Sequence, residues 1–318
     1  MKFPVAALCG GRKFMRALRF VAAFVVWPAM LGALPVGFAI TQELGLDPAP
    51  WLFGLTVVHL GLIAGLELLM PARPDWDWRQ DGQVINDLVH GALLDVGARI
   101  GAAGLTIGVA ASASALAITS PFSVWPDNWP LWGQIGLAMI LYDFADYWKH
   151  RAYHAWAWAW PIHALHHNPD RMHIFKAGRL HFFEAVVRAC FVVGLLVVLG
   201  ASGTVLYWIA ALLNAFGNTN HWNVETRVPP VVNWLLATPA VHWLHHAKDV
   251  PDGSRNLSPF TMLFDHLFGT YTDPSRRPIG DVGIAFDPIP RSLHGQILSP
   301  LAWPWLSYRA RSAEARTP

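Results

Sequence analysis

Residues 17–40 read ALRFVAAFVVWPAMLGALPVGFAI and carry one charge, Arg19. A helix needs about 20 apolar residues to cross roughly 30 Å of hydrocarbon, so this run is long enough to span a bilayer. The apolar core of a cleaved signal peptide is only about 7–15 residues. Lys2, Arg12, Lys13 and Arg16 precede the run. Together these features read as a signal-anchor helix with its basic end in the cytoplasm. Composition agrees. Of 318 residues 54% are hydrophobic and 14% charged, against about 25% charged in soluble domains. Seventeen tryptophans suit membrane interfaces, where an indole has one apolar edge and one wet donor. A net charge of +2 on scattered basic residues disfavours a nucleic-acid binder. Two distant cysteines, Cys9 and Cys190, exclude a disulfide scaffold.

Outward from that helix, the loop Thr41–Pro50 holds Glu43 and Asp47 but no Lys or Arg, as an outer loop would. A second span runs from about Trp51 to Met70, and Arg73 and Arg79 return the chain inside. Val84–Arg99 contains Asn86, Asp87, His90, Asp95 and Arg99. One charge at the bilayer centre costs about 2.5–3.5 kcal/mol, so this segment is expected as an in-plane amphipathic helix. Ile100–Ile118 then crosses outward, Thr119–Pro130 with Trp125 and Trp129 forms an outer interface, and Leu131 to about Ala145 crosses back. Ala189–Asn218 is broken at Gly200-Ala-Ser-Gly203 into halves too short to span, which predicts a shallow helical hairpin. The expected fold is an all-α membrane bundle of about four spanning helices plus that hairpin, capped by a cytoplasmic His-rich helical domain. It divides into anchor helices (1–130), a catalytic region (131–273) and a surface tail (274–318).

Eleven of the 15 histidines fall between His150 and His246. His150-Arg-Ala-Tyr-His154 puts two imidazoles on one helical face. His163-Ala-Leu-His166-His167 and His242-Trp-Leu-His245-His246 repeat a single pattern. Each follows a proline suited to a first helical turn, Pro161 and Pro239, the second preceded by Thr238 as N-cap. His181 and His221 lie between the clusters and are further candidates. Buried imidazoles without partners are costly, so eight to ten converging ones point to metal. They exceed one tetrahedral shell and suit two ions with four or five nitrogens each. The absence of HExxH weighs against a zinc hydrolase. Imidazole alone does not choose between iron and zinc.

From Asp143 to Tyr271 the chain resembles the fatty acid hydroxylase/sterol desaturase superfamily of membrane di-iron oxygenases. The resemblance rests on DFADYWKHRAYH, HALHH, RLHFFE, NHWN, TPAVHWLHH and FDHLFGTY, in that order. It implies two non-haem iron ions, O₂ as oxidant and a lipid C–H bond as target. It also implies His150, His154, His163, His166, His167, His242, His245 and His246 as ligands, with His221 at a recurrent family histidine. His181 matches Arg-x-His-Pro-Leu-Glu except that Phe182 replaces the proline. Asn256-Leu-Ser stands for the family's Asn-Tyr-Gly, and Phe264 for its Trp. Asp143 and Asp146 sit two turns and one turn before His150. With Asp265 of the closing motif, they are the candidate carboxylates behind the imidazoles. His173 and His266 read as surface or supporting residues, Arg151 and Arg179 as headgroup-binding or helix-capping.

The function these readings imply is hydroxylation of a membrane lipid with O₂ and external electrons. A desaturase with the same centre, and an intramembrane zinc hydrolase of a lipid amide or ester, are the alternatives. The chain has no CxxC pair, dinucleotide glycine motif or His-Pro-Gly-Gly haem motif. Electrons are therefore expected from a separate cytochrome b5-, ferredoxin- or reductase-type donor.

Overall fold

A computed structural model gives the structure of the protein and describes residues 6–115, 124–248, 253–276, 280–285 and 287–314. The main helices are α1 (Ala6–Glu43), α2 (Pro48–Leu69), α3 (Val84–Ala115), α4 (Leu131–Ala155) and α5 (Trp160–His167). They are followed by α6 (Phe182–Leu199), α7 (Gly203–His221), α8 (Pro239–His245) and α9 (Leu293–Glu314). Among the described residues β pairing is limited to isolated bridges. The expected all-α fold is observed.

Among the described residues four helices are long and apolar enough to cross a membrane: Arg19–Glu43, Pro48–Leu69, Val84–Thr106 and Phe182–Leu199. Phe53, Val58, Ile85 and Phe191 are more than half exposed on them. Apolar surface of that extent suits lipid better than water, and the chain is a membrane protein. The first two spans agree with the sequence reading. Asp47 caps α2 by accepting from Ala49 N, with Pro48 in the first turn.

The third segment differs. In place of an in-plane helix followed by a separate span, α3 is continuous from Val84 to Ala115. Two of its polar side chains, Asp87 and His90, face protein, whereas Asp95 and Arg99 are exposed. Asp87 is 1% exposed and takes 2.7 Å bonds from Lys176 Nζ and Arg179 Nη1. His90, fully buried, bonds Gln296 at 3.1 Å. Asp95 and Arg99 pair with each other at 2.7 Å. Partners lower the insertion cost that the isolated sequence suggests. The end of the expected span and the start of the expected outer loop, residues 116–123, lie outside the described residues.

The hairpin exists but begins at Phe182, not Ala189, and its first arm qualifies by length and apolarity as a span. Gly200 turns it at φ 97°, a left-handed conformation that glycine adopts without Cβ strain. Ser202 then caps α7. α3 lies very close to α6. A Cβ at Gly97 would collide with Phe182 O, and one at Gly101 would lie 2.6 Å from Ala189 Cβ and 2.8 Å from Val186 O. Small residues four apart permit such approach between membrane helices.

The segment after Asp273 is more than a surface tail. α9 buries Gln296 and Ser299 completely, and Gln296 bonds His90 and Gln83. Residues 315–318 lie outside the described residues. α4, α6 and α7 enclose a core of Tyr142, Val192, Leu196, Ile209, Phe216 and Phe260. Above that core the histidine-bearing ends of the helices converge.

Candidate metal centre

Four elements deliver nine imidazoles. The last turns of α4 carry His150 and His154, α5 carries His163, His166 and His167, α7 ends on His221, and α8 with its C-cap supplies His242, His245 and His246. α5 and α8 begin as the sequence predicts. Pro161 occupies the first turn of one. In the other, Thr238 Oγ1 accepts from Val241 N ahead of Pro239.

The imidazoles form two sets, each with its nitrogens within 4.8 Å of one another. The first is His150, His154, His163, His167 and His245, and the second is His166, His221, His242 and His246. Each His–His doublet is divided: His167 and His245 join the first set, His166 and His246 the second. Consecutive helical residues project about 100° apart, so one short helix feeds both sets.

Hydrogen bonding on the far side of the rings fixes their chemistry. Nδ1 of His150 donates to Leu257 O at 2.7 Å, that of His163 to Glu184 Oε2 at 2.9 Å, and that of His245 to Arg255 O at 2.9 Å. In the second set, His221 donates to Gly217 O at 2.7 Å and His166 to Arg179 O at 3.3 Å. An oxygen acceptor places the proton on Nδ1 and leaves a lone pair on Nε2. Yet Nε2 of His150 and His163 lie 2.9 Å apart, and Nε2 of His221 and His166 lie 3.2 Å apart. Two lone pairs at that distance repel unless a cation stands between them. His154 Nε2 and His245 Nε2 are buried with no hydrogen-bond partner at all.

The spacing fits metal. With a metal–nitrogen bond of about 2.1 Å, ligands at right angles lie about 3.0 Å apart and opposite ligands about 4.2 Å apart. The close Nε2 pairs measure 2.9–3.2 Å. Burial pushes all nine imidazoles below their usual range, His221 and His245 to about 4. They are neutral at pH 7, the form that binds metal.

The structure brings nine of the ten candidate histidines into these sets. His181 stays outside them. Its Nδ1 accepts from Phe183 N as the N-cap of α6, and its Nε2 donates to Ile297 O at 2.9 Å. The three candidate carboxylates are buried but touch no imidazole. Asp143 accepts from Phe260 N and Thr261 N, and Asp265 accepts from Leu257 N and Ser258 N. Both organise the loop whose Leu257 carbonyl anchors His150. Asp146 pairs with Lys149 at 2.6 Å. The carboxylate that does reach a ring of the two sets, that of His163, is Glu184, whose signal was the closing Glu of RLHFFE.

His173, read as a surface or supporting residue, is fully buried beside Asp81. Asp81, Asp87 and His173 could resemble a third metal site. Lys176 Nζ already sits there, 2.6 Å from Asp81 and 2.7 Å from Asp87. Arg179 is a buried partner of Asp87, and Arg151 donates to Tyr147 Oη. His266 bonds Trp234 O and is partly exposed. A cavity of about 180 Å³ adjoins both imidazole sets, touching His150 and His163 of one and His166, His221 and His242 of the other.

The family model for fatty acid hydroxylase matches residues 135–270, the stretch that supplies all nine imidazoles. Ornithine lipid hydroxylase OlsE of Rhizobium tropici is 32% identical over 277 residues, covering 85% of this chain and 82% of that protein. Alkylglycerol monooxygenase of Xenopus tropicalis is 25% identical over 147 residues, 46% of this chain and 31% of its own length. Very-long-chain aldehyde decarbonylase GL1-6 of Oryza sativa subsp. japonica is 29% identical over 165 residues, 46% of this chain and 25% of its own length. No solved structure matches significantly. A relationship to a lipid hydroxylase over most of both chains, with the family's domain over the imidazole-bearing segment, means that the chain belongs to the fatty acid hydroxylase/sterol desaturase superfamily.

Proposed function

We propose that this oxidoreductase holds two iron ions and hydroxylates a C–H bond of a membrane lipid, using O₂ and electrons from a separate donor. The observation that carries the reading is the pair of all-imidazole sets, whose Nε2 lone pairs face one another without a proton between them. Iron bound there would supply O₂ activation and oxidation of an unactivated C–H bond, chemistry beyond any side chain. The protein's part is to bind, orient and exclude water. His150, His154, His163, His167 and His245 would hold one ion, and His166, His221, His242 and His246 the other. Glu184 keeps the His163 proton on Nδ1 and fixes the ring. Burial keeps the imidazoles neutral and the centre dry.

A zinc hydrolase would need a carboxylate free to act as general base beside the metal. Among the described residues neither set contains a carboxylate, and Glu184 is bonded to His163. The relative that aligns over most of the chain is named for ornithine lipid, so an ornithine lipid is the first substrate to test. The basic N-terminus supports a metal centre on the cytoplasmic face. Reconstituted membranes supplied with reductase, lipid and ¹⁸O₂ should yield a lipid with one labelled oxygen atom. An unlabelled alkene would make the enzyme a desaturase, and turnover without O₂ would refute the oxygenase reading.

A further inference from the structure

The cavity beside the imidazole sets has a second wall, built from Asp146, Lys149, Glu184, Arg188 and Asn220. The two carboxylates on it are engaged. Asp146 accepts from Lys149 at 2.6 Å, and Glu184 accepts from His163 at 2.9 Å. Arg188 is held more loosely, by ion pairs to both carboxylates that are longer than a hydrogen bond. Its nearest carboxylate oxygens are 3.5 Å away on Glu184 and 3.8 Å away on Asp146, beyond a direct hydrogen bond. Its Nε is buried with no hydrogen-bond partner. A guanidinium presents five donors in a planar fork that matches carboxylate or phosphate, so a buried Nε without an acceptor beside a cavity needs an explanation. Two further observations point the same way. Arg188 opens a π-helical turn, Arg188–Val193, in a helix whose other charged residue is Glu184 and whose remaining residues are apolar or small. Such turns concentrate at functional sites, and an ionisable residue in a membrane helix is a functional candidate by default. Asn220 Oδ1 lines the same cavity and is also buried without a partner. It offers an acceptor to a neighbouring N–H or O–H.

We infer that Arg188 is the anchor for an anionic oxygen of the lipid headgroup, a carboxylate or a phosphate, with Asn220 accepting from an adjacent donor. The inference rests on the lipid-hydroxylase reading and narrows its substrate to lipids that carry such a group. A bidentate oxyanion completes the Arg188 fork and seats the headgroup against both imidazole sets, which fixes how deep the lipid enters.

The test is binding, measured on the metal-loaded protein in nanodiscs. The probes are an ornithine lipid, the same lipid as its carboxylate methyl ester, and phosphatidylglycerol. Arg188→Gln should weaken the acid roughly 10- to 100-fold, the range for removing a charge-assisted hydrogen bond, with metal content unchanged. Arg188→Lys should recover part of the loss. The ester should bind the unaltered protein as weakly as the acid binds Arg188→Gln, and lose nothing further in that variant. The same dependence on Arg188 with phosphatidylglycerol alone would make phosphate the anchored group. Unchanged affinity for every probe in Arg188→Gln, or equal loss for acid and ester, would overturn the assignment. Should that variant fail to fold, the probes on the unaltered protein decide, since equal affinity for all three overturns it. Metal content and ¹⁸O₂ incorporation do not depend on this outcome, so failure of the anchor and failure of the hydroxylase reading are separable.

Discussion

Asp87→Asn should destabilise the protein and loosen the second imidazole set. Asp87 is 1% exposed, with one carboxylate oxygen 2.7 Å from Lys176 Nζ and the other 2.7 Å from Arg179 Nη1. Removing one partner of a buried pair leaves an uncompensated charge, at a cost of about 3–5 kcal/mol. Lys176 retains Asp81 at 2.6 Å, whereas Arg179 keeps only the neutral Asn168. One cation is stranded, not two, which sets the expectation at about 3 kcal/mol. That is a large share of the roughly 5–15 kcal/mol that holds a typical domain. Because the Arg179 carbonyl accepts from His166 Nδ1, a displaced Arg179 also frees the His166 ring. Thermal unfolding in detergent should show a midpoint lowered by roughly 5 °C or more, with metal lost from the second set first. Arg79→Gln is the control. Its guanidinium also lies 2.7 Å from a carboxylate, Asp77, but it is 60% exposed, and an exposed pair contributes little. An Asp87→Asn protein with an unchanged midpoint and full metal content would refute the reasoning.

Glu184→Gln should weaken metal retention in the first set roughly 10- to 100-fold, as expected when a carboxylate behind a ligating imidazole is lost; chelator competition would show whether it does. Gly101→Leu should drive α3 from α6, because even a Cβ lies 2.6 Å from Ala189 Cβ, and reduced yield of folded protein is the readout. His181→Ala should retain full metal and lose only about 0.5–2 kcal/mol as a missing helix cap, and metal loss comparable to that of His221→Ala would contradict the placement. For pH, burial holds His221 and His245 near 4 in the folded protein against 6.5 when unfolded. The unfolded chain therefore binds more protons between those values. Metal-free stability should be flat above about pH 7 and fall as pH drops from about 6.5 towards 4, and a midpoint unchanged between pH 7.5 and 5 would argue against buried neutral imidazoles.

Features set by local sequence were legible from it. The apolar run to Ile40 is long enough to span whatever packs beside it. Pro161 and Thr238-Pro239 start α5 and α8 by backbone chemistry that needs no tertiary partner. What failed was what distance in sequence conceals. Asp87 looks incompatible with a span until Lys176 and Arg179, 89 and 92 residues on, are placed against it. Asp143 and Asp146 fall at helical spacing from His150, yet spacing cannot show that the 256–265 loop needs Asp143 for its backbone N–H groups. His181 lies in a histidine-rich context, but its position just before α6 makes it a cap. The division of the two doublets was accessible in principle, since adjacent helical residues diverge by about 100°. Assigning each member to a set required the neighbouring helices.

Iron stoichiometry after anaerobic Fe(II) loading tests the central claim most directly, measured on the unaltered protein, His154→Ala and His242→Ala. His154 belongs to the five-nitrogen set and His242 to the four-nitrogen set. Close to two irons per chain are expected in the unaltered protein, with each variant losing iron chiefly from its own set and keeping most of the other. A single iron in the unaltered protein, or two irons retained in both variants, would contradict a centre built from these two sets.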